Sequence, residues 1–158
     1  MESNLLLKNI SQADVFSGLT TQEIAVLAEQ FEIINFGSRE SAVDEGSQGK
    51  GFYIVLSGIF KVILPANNAQ GSKSRLSALT LNTLMPGDCF GEYSLLDDQP
   101  VSASIIAEED AKCLKINKEN FLNILDRHPL IAKTVYRNLL NMLVARLRKH
   151  DKELDMFL

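Results

Sequence analysis

Few side chains in this sequence are of the kind that carry out reactions, and their spacing limits what they can do. His128 and His150 lie too far apart to suggest a metal pair, and neither Cys89 nor Cys113 has a His or Cys beside it. A structural zinc site needs about four ligands at close spacing. Both cysteines therefore read as reduced, small core hydrophobes, and no metal or cofactor is expected. The acidic clusters Asp97-Asp98 and Glu108-Glu109-Asp110 fall where strands turn, so they read as solvated turns and not as oxygens converging on a cation. A catalytic site needs a nucleophile with a base, or an acid and a base sharing a cleft. One acid, Glu92, is expected inside, and no histidine accompanies it. No catalytic residue and no enzyme activity are expected. The informative stretch is Phe90-Gly91-Glu92-Tyr93-Ser94-Leu95-Leu96, followed by Pro100-Val101-Ser102-Ala103-Ser104.

The elements that must position this stretch run helix, strands, helix. Residues 4–31 read as helical. Thr20-Thr21-Gln22-Glu23 is a capping box flanked by Leu19 and Ile24 as a staple. Ile24, Leu27, Ala28 and Phe31 then recur at helical spacing. Over 32–116 the period changes, with candidate strands at 32–36, 41–44, 52–57, 59–64, 75–82, 88–90, 101–107 and 112–116. Ser57-Gly58 suits a hairpin turn, Pro86-Gly87 suits the centre of a type II turn, and Pro65 to Lys73 reads as a polar loop. So many short antiparallel strands predict a mainly β fold with flanking helices. The architecture expected is a jelly-roll-like barrel, or double-stranded β-helix, over 32–116, with helices at 4–31 and 117–158, all in one domain of 1–158. Asn117 caps the returning helix, and Ile116 with Phe121 forms a second staple. Pro129 opens a long helix reaching about residue 155. Ile131, Val135, Leu139 and Met142 form a stripe expected to pack on the barrel. Leu140, Leu143, Leu147, His150, Leu154 and Phe157 form a heptad-like seam expected to pack on a second copy, making a homodimer.

Composition excludes broad classes. A hydrophobic fraction of 46%, a charged fraction of 23% and a net charge of −4 are those of an ordinary globular protein, with nothing suggesting a nucleic-acid coat. No apolar run is long enough to cross a bilayer, and Met1-Glu2-Ser3-Asn4 lacks the basic start of a signal peptide. A cytoplasmic protein without membrane contact is expected.

The layout resembles the cyclic-nucleotide-binding domain family, in its catabolite-activator-like effector form. Phe16-Ser17-Gly18-Leu19 is similar to the family's entry turn, and Glu45-Gly46 with Phe52-Tyr53-Ile54-Val55-Leu56-Ser57-Gly58 to its first barrel block. Pro86-Gly87-Asp88-Cys89-Phe90-Gly91-Glu92 is similar to the approach to its phosphate-binding cassette. The resemblance implies a non-enzymatic, ligand-sensing regulatory domain for cyclic AMP or cyclic GMP. It assigns ligand contact to Phe90, Gly91, Glu92, Tyr93, Ser94, Leu95, Val101, Ser102, Ala103 and Ser104. Glu92 would accept the ribose 2′-hydroxyl, Gly91 would let the backbone come close, and Ser94 and Leu95 would lend N–H groups.

One position departs from that pattern. The residue after the proline is an arginine in the family, bonding the cyclic phosphate, and here it is Val101. Loss of such a bond costs about 1.5–3 kcal/mol, or about ten- to a hundredfold in affinity. Glu92 would then face an anionic ligand uncompensated, unless Lys61, Arg75 or Arg146 reaches inward. Weak or altered cyclic-nucleotide binding is expected, and the alternative is a vestigial pocket that binds no nucleotide in a dimerisation or protein-interaction module. Transcriptional members carry a helix-turn-helix beyond the long helix. The sequence ends before one forms, so direct DNA binding is not expected, and output through a separate protein is.

Overall fold

The Thr20 hydroxyl accepts the Glu23 N–H at 3.2 Å, and the Glu23 carboxylate accepts the Thr20 N–H at 2.8 Å. This capping box starts α2 (Thr21–Ala28). Before it come α1 (Glu2–Gln12) and a 3-10 turn, Asp14–Phe16. The computed structural model describes residues 2–67 and 74–158, so part of the polar loop expected over 65–73 lies outside the described residues. The helical block expected over 4–31 is thus split, and it ends early. Phe31 pairs with Ile116 as the first residue of a strand, and its ring meets Phe16 edge-on at 6.1 Å. That tertiary pairing outweighs its helical spacing.

Eight strands follow among the described residues: β1 (Phe31–Phe36), β2 (Ser41–Val43), β3 (Gly51–Ser57), β4 (Phe60–Leu64), β5 (Leu79–Leu84), β6 (Cys89–Phe90), β7 (Ser104–Ala107) and β8 (Ala111–Asn117). They form two four-stranded antiparallel sheets, ordered β1-β8-β3-β6 and β2-β7-β4-β5. Two strands differ from their expected spans by more than one residue at an end. The one expected over 75–82 starts at Leu79, which pairs with Leu64, while Arg75 is held aside by Glu45. The one expected over 101–107 starts at Ser104, because the backbone of Val101 is bonded to the loop after β2.

Side-chain alternation explains the core. In β3, Tyr53 and Val55 face the space between the sheets, where they join Phe60, Leu84, Phe90 and Ile105. Their neighbours Phe52 and Ile54 face the other way, into a core shared with the helices. β8 divides the same way, Cys113 to the first core and Leu114 and Ile116 to the second. Within the first sheet β3 is buried on both faces over Gly51–Val55, which is why it reads as an unbroken apolar run.

The chain then enters α3 (Tyr93–Leu96), α4 (Lys118–Arg127) and α5 (Pro129–Asp155). The Asn117 side chain caps α4 by accepting the Glu119 N–H at 2.8 Å. Ile131, Val135 and Leu139 bury one stripe of α5, with Met142 packed at its edge. Asn138 donates to the carbonyls of Val15 and Ser17 at 3.0 and 2.8 Å, fixing α5 to the 3-10 turn. The second stripe is uncovered, with Leu140, Leu147, His150 and Leu154 exposed and Leu143 half-buried.

Candidate functional site

A cavity of about 280 Å³ opens between the sheets, bounded by the loop after β2, by α3 and by the far half of α5. Its inner wall is hydrocarbon: Val43, Val62, Leu84 and Ile105 come from four strands of the two-sheet frame, and Tyr53 stacks on Phe90 at 4.5 Å. Strand alternation puts these side chains inward, a signal the sequence reading did not use.

Of the expected contact residues, Phe90, Gly91, Glu92, Tyr93 and Ser94 line this cavity. Val101, Ser102 and Ala103 line its opposite side. Leu95 and Ser104 are placed elsewhere. Leu95 packs into the helix-side core, and its N–H donates to the Glu92 carbonyl at 3.2 Å. The Ser104 hydroxyl faces away and accepts the Glu45 N–H at 2.9 Å.

Close backbone approach shapes the site. Gly91 has φ +87°, and a Cβ there would stand 2.3 Å from the Gly51 carbonyl oxygen. A Cβ on Gly49 would meet the Ser94 Cβ at 2.1 Å. Bare glycines thus let the loop after β2 lie against α3. On the other side, the Val101 N–H donates to the Ser47 carbonyl at 2.8 Å, and the Gly46 N–H donates to the Val101 carbonyl at 2.7 Å. Both backbone groups of Val101 are used inside the protein.

The three candidate cations take different places. Lys61 lies 3.1 Å from the Thr83 hydroxyl and 3.7 Å from Glu108, and does not line the cavity. Arg75 bonds both carboxylate oxygens of buried Glu45, at 2.7 and 3.0 Å, and the Pro65 carbonyl at 2.8 Å. Arg146, from α5, enters the cavity and donates from Nη1 to Oε1 of Glu92. The Glu92 side chain is 7% exposed and that of Arg146 43%. Burial works against the Arg146 charge, but Glu92, helped by Tyr93, outweighs it and holds the guanidinium above its ordinary value. Lys50 and Asp97, both exposed, complete the charged lining. No cluster of metal-ligating side chains occurs among the described residues.

The architecture is a two-sheet β frame with a short helical turn at its cavity and a long helix reaching back over it. A sequence model described as the cyclic nucleotide-binding domain matches residues 33–128, and the chain belongs to that family. It is 35% identical over 142 residues to the cyclic AMP receptor protein of Thermus thermophilus, covering 90% of this chain and 61% of that one. It is 28% identical to a cAMP-dependent protein kinase regulatory subunit of Aspergillus fumigatus, covering 73% of this chain and 26% of the subunit. The crystal structure of Thermus thermophilus catabolite activator protein superposes with a TM-score of 0.74 at 32% identity, over 92% of this chain and 63% of that one. The chain thus spans less than two thirds of the length of these relatives. No helix among the described residues is long and apolar enough to cross a membrane.

Proposed function

We propose that this is a non-enzymatic, ligand-sensing regulatory domain whose affinity for cyclic AMP and cyclic GMP is weak or altered. One observation carries the reading: Glu92, the carboxylate that the family offers to a ribose, is held by Arg146 of the chain's own α5. A ligand at Glu92 also meets Arg146 of α5, so occupancy of the cavity and the position of α5 are linked. That is the arrangement of a switch, in which a ligand shifts α5 between positions in proportion to its differential affinity for them. Val101 supports the weakness, since it supplies neither a side-chain cation nor an unused backbone N–H to a phosphate. The uncovered seam of Leu140, Leu143, Leu147 and Leu154 supports homodimerisation through α5, and output would pass to a partner in the cytoplasm that reads the helix position.

Calorimetric titration with both cyclic nucleotides tests this. Wild type binds weakly, and Val101→Arg raises cyclic AMP affinity about ten- to a hundredfold, the worth of one charge-assisted bond. Micromolar wild-type binding that survives added salt overturns it. The second reading, a vestigial pocket in a dimerisation module, is favoured by the same ion pair, which satisfies Glu92 without a ligand. Amide hydrogen exchange over 117–158 separates the two: it changes with ligand in a switch and stays constant in a scaffold.

A further inference from the structure

The charges around the cavity already sum to zero. Glu92 and Asp97 equal Arg146 and Lys50 in number, and of these four the one buried member, Glu92, is neutralised in place by Arg146. Deeper in, the wall is Val43, Val62, Leu84, Val101 and Ile105, with the Tyr53–Phe90 stack. The Leu95 N–H, one of the two backbone donors expected for an anion, is committed to the Glu92 carbonyl at 3.2 Å, and the Ser94 hydroxyl donates to the Gly91 carbonyl at 2.7 Å. From this charge balance and this wall we infer that the cavity takes an uncharged ligand with an apolar body, anchored at one polar edge by the Glu92–Arg146 pair. The inference rests on the ligand-sensing reading and names the chemical class sensed there.

The physics is desolvation. An anion entering this space gives up water while the cation beside Glu92 is already paired and Lys50 is an exposed, solvent-screened charge, so burying it costs several kcal/mol. A neutral body of similar shape gives up little and gains apolar contact. Cys89, which lines the same cavity, reports the medium: burial, and then Glu92, push its thiol up to about 12, so a second negative charge is disfavoured at that spot.

Two dyes of one shape make the test. N-phenyl-1-naphthylamine is uncharged, and 8-anilino-1-naphthalenesulfonate is the same body carrying a sulfonate. Fluorescence titration of the whole chain is expected to show one saturable site for the neutral dye, at least tenfold tighter than for the anion. Val62→Trp, which fills the cavity, abolishes that site, and Val101→Arg narrows or reverses the preference. If Val62→Trp fails to fold, methyl resonances of Val62, Val101 and Ile105 in wild type shift on addition of the neutral dye. Equal or tighter binding of the anion overturns the inference. So does no binding of the neutral dye, or binding that leaves those methyl groups undisturbed. The sensing reading is decided separately by hydrogen exchange in α5, so one can fail while the other stands.

Discussion

Two residues make the local chemistry of this site testable. Gly91 sits at φ +87° with no room for a Cβ, since the Gly51 carbonyl oxygen would lie 2.3 Å away and the obstacle is backbone. Left-handed strain alone costs about 1–3 kcal/mol in a residue with a side chain, and displacement of β3 adds to it. Gly91→Ala is expected to lower stability by at least about 2 kcal/mol in urea denaturation, whereas Gly87→Ala meets no neighbour within 4 Å and pays the strain alone. Equal losses in the two variants would contradict the close approach. The second residue is Cys89. Its thiol, like that of Cys113, is pushed from an ordinary 9.0 to about 12, by burial first in both cases. The native state keeps these protons at pH values where the unfolded chain has lost them. The stability they contribute is whole below pH 9 and drains away as pH rises towards 12. Cys89→Ala is expected to flatten the alkaline fall in unfolding free energy relative to wild type, and native Cys89 is expected to resist thiol reagents at pH 8. Rapid labelling of the folded protein there would refute the buried placement.

At the scale of elements, the contact to probe is the one joining α5 to α3. Glu92 and Arg146 are far apart in sequence, and their pair is half open to solvent on the arginine side. Screening limits its worth to about 1 kcal/mol. A double-mutant cycle of Glu92→Gln and Arg146→Gln is expected to return a coupling of that size, and additive losses would dissolve the link between cavity and helix. This contact also marks the limit of what the sequence discloses. Capping chemistry at Thr20 and Asn117 and the apolar stripe of α5 are written locally, in residues two to four apart, and the structure has both caps and the buried stripe. The order of glycines, aromatics and the Gly91-Glu92 pair was enough to recognise the family. Which of three basic residues reaches Glu92 was not legible, because it depends on how a helix after residue 129 crosses an α3 of four residues. Ser104 is absent from the cavity lining for a related reason. It precedes Ile105 on β7, and Ile105 faces the cavity, so Ser104 faces the opposite side of the sheet, and the motif alone does not say where that strand begins. Phe31 shows the converse, a local helical spacing overridden by pairing with Ile116.

At the scale of the whole molecule, α5 presents two faces with opposite fates. One is sealed by the domain. The other leaves Leu140 and Leu147 each 62% exposed and Leu154 52% exposed, a seam with heptad-like spacing and basic residues beside it. Burying a leucine against a second copy is worth about 1.5–3 kcal/mol, and a parallel pairing buries each seam position twice. That sum is of the order a weak micromolar dimer requires, about 8 kcal/mol. Arg146 adjoins Leu147 on α5, so self-association through the seam would act on the same helix that the cavity's ion pair holds. Sedimentation velocity at tens of micromolar protein is expected to show a dimer, and Leu147→Glu a monomer, because two carboxylates would meet at the centre of the seam. If the helix is the shared element, the monomeric variant also loses protection from hydrogen exchange over 143–158. A wild type that sediments as a monomer, or a Leu147→Glu variant that remains dimeric, would move the association to another surface and detach it from the switch.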